Sequence, residues 1–311
     1  MTAGSMSADR PGYAVLLVAY GSPQTLDEVE PYLRDIRGGR QSSAEAVEDL
    51  RRRYLAIGGR SPLLERTAAQ AAALARKLDN PAIFVGMRHW RPYIRDVLGV
   101  IRAQGHDKVV VLPLAPHYSR LSIGAYQQAV EAARNGLQIA MVTQWFDEPA
   151  FLDAVASRVA LGLRSFGDGA RGRVSLVFTA HSLPTRILAD GDPYPDQLKA
   201  SVAGVLERVG VAAAKFAFQS AGRTPEAWLG PEVGTVVSQL AQEGSREVLV
   251  CPIGFVSDHL EVLYDIDIEL REVARREGTR VERTASLNDD DQFISALAAV
   301  ASNAARQEGW A

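Results

Sequence analysis

The sequence predicts an α/β protein of two similar lobes, each a four-stranded parallel sheet flanked by helices. Three observations predict this. Short apolar, β-branched runs alternate with longer amphipathic segments, and each run ends in Gly, Pro or Ser; this is the pattern of a parallel sheet with helices on both faces. The runs fall four in each half. The halves also match in detail: Ala19-Tyr20-Gly21-Ser22-Pro23 against Ala180-His181-Ser182-Leu183-Pro184, and Leu112-Pro113-Leu114-Ala115-Pro116-His117-Tyr118-Ser119 against Cys251-Pro252-Ile253-Gly254-Phe255-Val256-Ser257. Such self-similarity points to duplication of one α/β unit.

Taken in order, strands are expected at 13–19, 82–86, 108–114 and 139–143, then at 174–179, 215–219, 247–253 and 280–283. Helices are expected between them near 25–36, 43–57, 64–79, 91–104, 122–135, 149–165, 195–209, 233–243, 260–277 and 290–306. The chain then divides into a disordered tail (1–12), an N-terminal lobe (13–150) and a C-terminal lobe (151–311). Ligands of open α/β sheets bind beyond the carboxyl ends of the strands; if the halves face one another across a cleft, Tyr20 and His181 stand on its opposing walls, the alternative being strand-end turns common to many such folds. The tract 218–231 is rich in Gly, Pro and aromatics. It reads as an ordered cleft-lining loop in which Trp228 offers an apolar face to a flat ligand.

Composition narrows the function classes. The 311 residues are 47% hydrophobic and 23% charged, the balance of a soluble globular protein. No stretch of about 18 apolar residues exists, so no membrane span is expected. Met1–Arg10 lacks the apolar core of a signal peptide, and a cytoplasmic monomer is the expectation. A net charge of −3 gives no reason to expect nucleic-acid binding. Cys251 is the only cysteine, which rules out an internal disulfide, a cysteine zinc site and an iron–sulfur cluster held by this chain alone. There is no Walker A motif, no Gly-x-Gly-x-x-Gly fingerprint and no Gly-x-Ser-x-Gly elbow.

The segment 254–265 carries most of the chemistry. Glu261, Asp265, Glu269 and Glu272 are spaced by four, four and three, so on an α-helix they form one acidic stripe. Its self-repulsion, roughly 0.2–0.5 kcal/mol per pair, suits a cation path. A solvated face remains the alternative, with Asp258 and Glu261 as a capping box. Of five histidines, His89, His117, His181 and His259 sit at strand ends or in the loops that follow. His117 and His259 read first as structural hydrogen bonders. His181 ends the run 175–178 directly and is expected to project into the cleft, where an imidazole can accept protons or bind a borderline metal. Glu261 is the carboxylate that could take those protons onward.

Together these segments resemble the ferrochelatases, enzymes that insert ferrous iron into a porphyrin during haem synthesis and so form nitrogen–metal bonds. The resemblance runs through Leu16–Pro23, Arg53-Tyr54, Ile57–Leu63, Leu114–Ser119, Ala180–Pro184, Gly191–Leu198, the Trp228 loop and the Glu261 segment. It implies two Rossmann-like, chelatase-type lobes with the porphyrin in the cleft. Residue by residue, it implies that His181 and Glu261 are catalytic and approach the metal, and that Asp265, Glu269 and Glu272 form an outer cation path. Tyr20 resembles the coproporphyrin III ferrochelatases of Gram-positive-type bacteria, where protoporphyrin enzymes commonly have Met, and a phenol there could lie axial to inserted iron. Arg37, Arg53, Ser61 and Tyr126 match propionate-contact positions. Many relatives carry two arginines where this chain has Arg37-Gly38; Arg40, Arg88 or water could supply the lost donor.

Ferrous iron is expected as a substrate, with no further cofactor and no iron–sulfur cluster. A transient contact with a downstream haem-pathway enzyme is the expected partner interaction. The alternatives are a protoporphyrin IX ferrochelatase, a cobaltochelatase acting on sirohydrochlorin, and a non-enzymatic haem carrier.

Overall fold

The computed structural model describes residues 12–78, 81–169, 172–222 and 224–311; residues 1–11 of the expected tail lie outside them. Among the described residues, eight strands form two parallel sheets. The first contains β1 (Ala14–Ala19), β2 (Ile83–Met87), β3 (Lys108–Pro113) and β4 (Gln138–Met141) in the order β2-β1-β3-β4. The second contains β5 (Ser175–His181), β6 (Lys215–Gln219), β7 (Glu247–Cys251) and β8 (Arg280–Arg283) in the order β6-β5-β7-β8. The second order repeats the first, as duplication requires.

Parallel neighbours need crossover connections, and helices supply them. The first half carries α1 (Val29–Ile36), α2 (Ala44–Ala56), α3 (Leu63–Lys77), α4 (Ile94–Ala103) and α5 (Ile123–Ala132). The second carries α6 (Pro149–Arg164), α7 (Arg186–Ala189), α8 (Tyr194–Val209), α9 (Val233–Gln242), α10 (Leu260–Leu263), α11 (Arg271–Arg276) and α12 (Asp291–Gln307). Pro149 opens α6 where a missing N–H costs nothing, and Gly210 closes α8 in the left-handed conformation (φ 70°). The expected helix 25–36 is a 3₁₀ turn (Leu26–Glu28) followed by α1, and α7 fills a turn where no helix was expected.

Each sheet buries both faces, which is why its strands read as continuous apolar runs. Ala14, Leu16 and Val18 of β1 pack on α4 and α5, while Val15 and Leu17 enter a second core. Phe178 and Leu249 of the other sheet reach that same core, with α3, α6, α8 and α12 between the sheets. The last helix, α12, packs on α3 and α6 and touches β3 and β4, so the C-terminus helps cover the first sheet.

The expected helix 260–277 is not a regular α-helix. After α10 the chain makes a π-turn over Asp265–Leu270 before α11 begins, and the Glu269 N–H donates to the Tyr264 carbonyl five residues back (2.9 Å). The wider turn breaks the i,i+4 stacking on which a single stripe depends. The capping box is also absent. The N-cap of α10 is His259 without a side-chain cap, and the Asp258 carboxylate accepts instead from Ser286 (2.7 Å) and Asn288 (2.9 Å).

Candidate active site

Corresponding points of the two halves build the site. Val18 pairs with Pro113, and the Leu114 N–H then donates to the Val18 carbonyl (2.9 Å). In the second half the Gly254 N–H donates to the Thr179 carbonyl (3.2 Å), one residue later in the loop. Ala19-Tyr20 and Ala180-His181 therefore occupy matching strand ends. The extra residue brings Gly254 against β5: a Cβ there would lie 2.7 Å from the Ala180 Cβ and 2.9 Å from its Cα. Only glycine fits this close approach.

His181 is held from three sides. Its Nδ1 bonds the Ser182 carbonyl, its own carbonyl accepts from the Tyr194 hydroxyl (3.0 Å), and Nε2 lies 3.4 Å from Glu261 Oε1. The Nδ1 contact assigns the N–H to that nitrogen and leaves Nε2 to exchange protons or meet a metal. Glu261 lies in α10, and its backbone carbonyl accepts from Gln219 Nε2 (2.9 Å), which Thr179 orients in turn (2.7 Å). His259 approaches the other Glu261 oxygen (3.7 Å) while its Nδ1 bonds the Ser257 carbonyl (2.9 Å). The carboxylate thus sits between two imidazoles. Burial lowers the pKa of His181, but the Glu261 charge outweighs it and raises the imidazole to about 9. Glu261 is pushed the other way: burial raises it, and His181 and His259 hold it well below the usual carboxylate range. At neutral pH the free site holds an imidazolium–carboxylate pair.

Asp265 is buried at the start of the π-turn, bonded by the Ser220 hydroxyl and 3.3 Å from Arg53 Nη1. Burial and the Glu261 charge raise it to about 6, against the pull of Ser220 and Arg53. Arg53 also reaches Glu269 (3.8 Å) and stacks over Tyr264 (4.8 Å). Glu272 belongs to the outer surface, paired with Arg275 (2.9 Å) and Arg276 (3.9 Å). The four carboxylates therefore have three different sets of partners.

Tyr20 is 42% exposed and tilts over His89, ring centres 4.7 Å apart. Desolvation and the Glu261 charge push its phenol up to about 12, with Arg88 pulling down. His89 in turn bonds Asp35 (2.9 Å). Ser61 is buried and accepts from the Leu63 N–H (3.2 Å) at the start of α3; Tyr126 is buried on α5, where desolvation raises its phenol. Arg37 is exposed at the C-cap of α1, and its carbonyl accepts from Arg40 Nε (3.1 Å). Trp228 pairs with Pro184 in the turn after His181, bonds Thr224 (3.0 Å) and packs against Gly222, where a Cβ would fall 2.3 Å from the ring.

Sequence reasoning missed His259 as a neighbour of Glu261, and within the 191–198 segment and the cleft-lining tract 218–231 it did not single out Tyr194, Gln219 and Ser220 as site supports. The signals were thin: His259 stands two residues before Glu261, and Tyr194 lies inside the Gly191–Leu198 segment. Among the described residues, no three His, Cys, Asp or Glu side chains are arranged to hold a metal ion. His117, read as structural, is buried and bonds Ser201 (2.9 Å), and burial lowers it to about 3.

Two equivalent parallel sheets, the second with a histidine–carboxylate pair beyond its carboxyl end, give the fold of the chelatase-type structures. SirB from Bacillus subtilis with Fe3+ is similar at TM-score 0.59 and 13% identity, covering 96% of this chain and 97% of that one. CbiX, titled the terminal enzyme for biosynthesis of sirohaem in denitrifying bacteria, is similar at TM-score 0.57 and 13% identity, over 93% and 98%. At such identities the likeness concerns fold alone. The sequence is more particular: the family model described as Ferrochelatase matches residues 12–305, and the chain belongs to the ferrochelatase family. A ferrochelatase of Herpetosiphon aurantiacus is 44% identical over 92% of this chain and 97% of its own length. A coproporphyrin III ferrochelatase of Geobacillus thermodenitrificans is 40% identical over 95% and 96%.

Proposed function

We propose that this enzyme inserts ferrous iron into coproporphyrin III, releasing coprohaem and two protons. The observation that carries this is the His181–Glu261 pair, within electrostatic reach of Tyr20 from the other sheet. Metallation exchanges two pyrrole protons for one dication, so the site must accept protons and admit a cation. His181 Nε2 is the acceptor once the proton of its resting imidazolium–carboxylate pair has left, since Nδ1 is committed to Ser182. Glu261 takes the proton onward. Asp265, at about 6, is the next carboxyl able to hold one transiently.

Asp265 and Glu269 are read as the inner cation path and Glu272 as its outer end. Arg37, Arg53, Ser61, Tyr126 and Trp228 are read as porphyrin contacts, the cations meeting propionates. The lobes 13–150 and 151–311, monomeric action, a cytoplasmic location and a transient hand-over to a downstream haem-pathway enzyme belong to the same proposal. The 40% identical relative named for coproporphyrin III supports that substrate over protoporphyrin IX.

Initial rates with coproporphyrin III and protoporphyrin IX test the reading. A higher kcat/KM for protoporphyrin IX overturns the substrate, and release of only one product per site would make the protein a carrier. In the same assay His181→Ala is expected to lower kcat by about 100- to 10,000-fold with native circular dichroism. Near-wild-type turnover would remove His181 from the mechanism.

A further inference from the structure

Glu261 and Asp265 lie on a short segment whose two ends are gripped by one arginine. Arg283 of β8 is 11% exposed in its side chain. Its Nε and Nη2 bond the two Asp267 oxygens, both at 2.9 Å, and Nη2 lies 3.4 Å from Asp258. Its Nη1 is used by the Thr284 carbonyl (2.9 Å) and Ser286 (3.2 Å). Asp258 precedes α10, and Asp267 lies inside the π-turn. Within that turn Asp265 goes to Ser220 and Arg53, while Asp267 goes to Arg283.

We propose that Arg283 is a positioning residue: by bridging Asp258 and Asp267 it closes the segment into a loop and holds Glu261 against His181. The inference rests on the functional reading above, which gives Glu261 its role. A planar guanidinium can bind one carboxylate bidentately and still reach a second, which an ammonium cannot. Without it the two carboxylates lose their shared cation, leaving Asp267 with Arg271 at 3.9 Å and Asp258 with the more distant charge of Arg66. Glu261, between them, loses its fixed distance to His181. Misplacement by about 1 Å can cost on the order of 100-fold in rate.

The test compares Arg283→Met, Arg283→Lys and Asp267→Asn with wild type. Asp267→Asn keeps shape and serves if Arg283→Met does not fold. For folded variants, ferrous insertion is expected to lose about 10- to 100-fold in kcat, while coproporphyrin III affinity, read by fluorescence quenching, stays within about twofold. Arg283→Lys is expected between Arg283→Met and wild type. An unchanged kcat in folded Asp267→Asn overturns the proposal, as does a fall in kcat matched by an equal loss of porphyrin affinity. If the wild type metallates no porphyrin, the functional reading fails. Crystal structures of wild type and Asp267→Asn then decide the positioning role, since an unmoved Glu261 carboxylate would refute it.

Discussion

Arg53 Nη1 lies 3.3 Å from Asp265 Oδ1, so a guanidinium from the first sheet's helices pairs with a buried carboxylate beside the second sheet. The same group reaches Glu269. A cation entering along these carboxylates must compete with a tethered one. For Arg53→Met we expect a lower KM for ferrous iron, by about fivefold if the pair is worth ~1 kcal/mol, and a higher KM for coproporphyrin III. Initial rates varied in each substrate separate the two effects. A higher KM for iron would show that Arg53 does not compete with it.

Glu261→Gln removes the charge that raises His181. Burial then lowers the imidazole against only the weaker upward pull of the Ser182 carbonyl and Asp265, so the His181 pKa should fall from about 9. If neutral His181 accepts the pyrrole proton, the rising limb of kcat/KM against pH lies near 9 in the wild type and moves to lower pH in Glu261→Gln, with kcat reduced. A limb that stays in place would detach Glu261 from the titration.

The same pair affects stability, with a definite sign. His181 is raised in the folded protein, so its contribution is full below 6.5 and is lost as pH rises through about 9. Glu261 is depressed, so its contribution is full above 4.5 and is lost as pH falls toward its lower folded value. These are one interaction seen from two sides. The Tm difference between wild type and Glu261→Gln should be largest between about pH 4.5 and 6.5 and should shrink above about 9, by scanning calorimetry. A difference constant over that range would contradict the pairing.

Tyr20 remains a phenol without iron, since its pKa stands near 12. Ferric iron bound alongside would draw off the proton and favour a tyrosinate ligand. The ferric coprohaem complex should therefore change its absorption spectrum in Tyr20→Met, while insertion persists at least partly. Identical spectra would exclude axial ligation by Tyr20.

Gly254→Ala places a methyl 2.7 Å from Ala180 and displaces the end of β5. We expect a loss of about 1–3 kcal/mol by urea unfolding, with turnover reduced because His181 is the next residue. Wild-type stability would mean that the strand end yields without strain.

The apolar runs were enough to locate all eight strands, and the matching turns around Tyr20 and His181 announced the duplicate sheets. Burial on both faces writes itself into local composition, so those features were legible residue by residue. His181 and Glu261 were legible as types, standing at a strand end and in the loop and helix after another. Their 3.4 Å separation was not, because β7 and Gly254 close that distance through the tertiary fold. The acidic spacing read as one α-helical face, yet His181 holds Glu261 while Arg53 and Ser220 hold Asp265 at the start of a π-turn. Those three partners lie far from the turn in sequence. Periodicity along a chain reports which face of a local element is apolar, whereas charge pairing and close backbone approach depend on distances through space that only packing of the two sheets brings about.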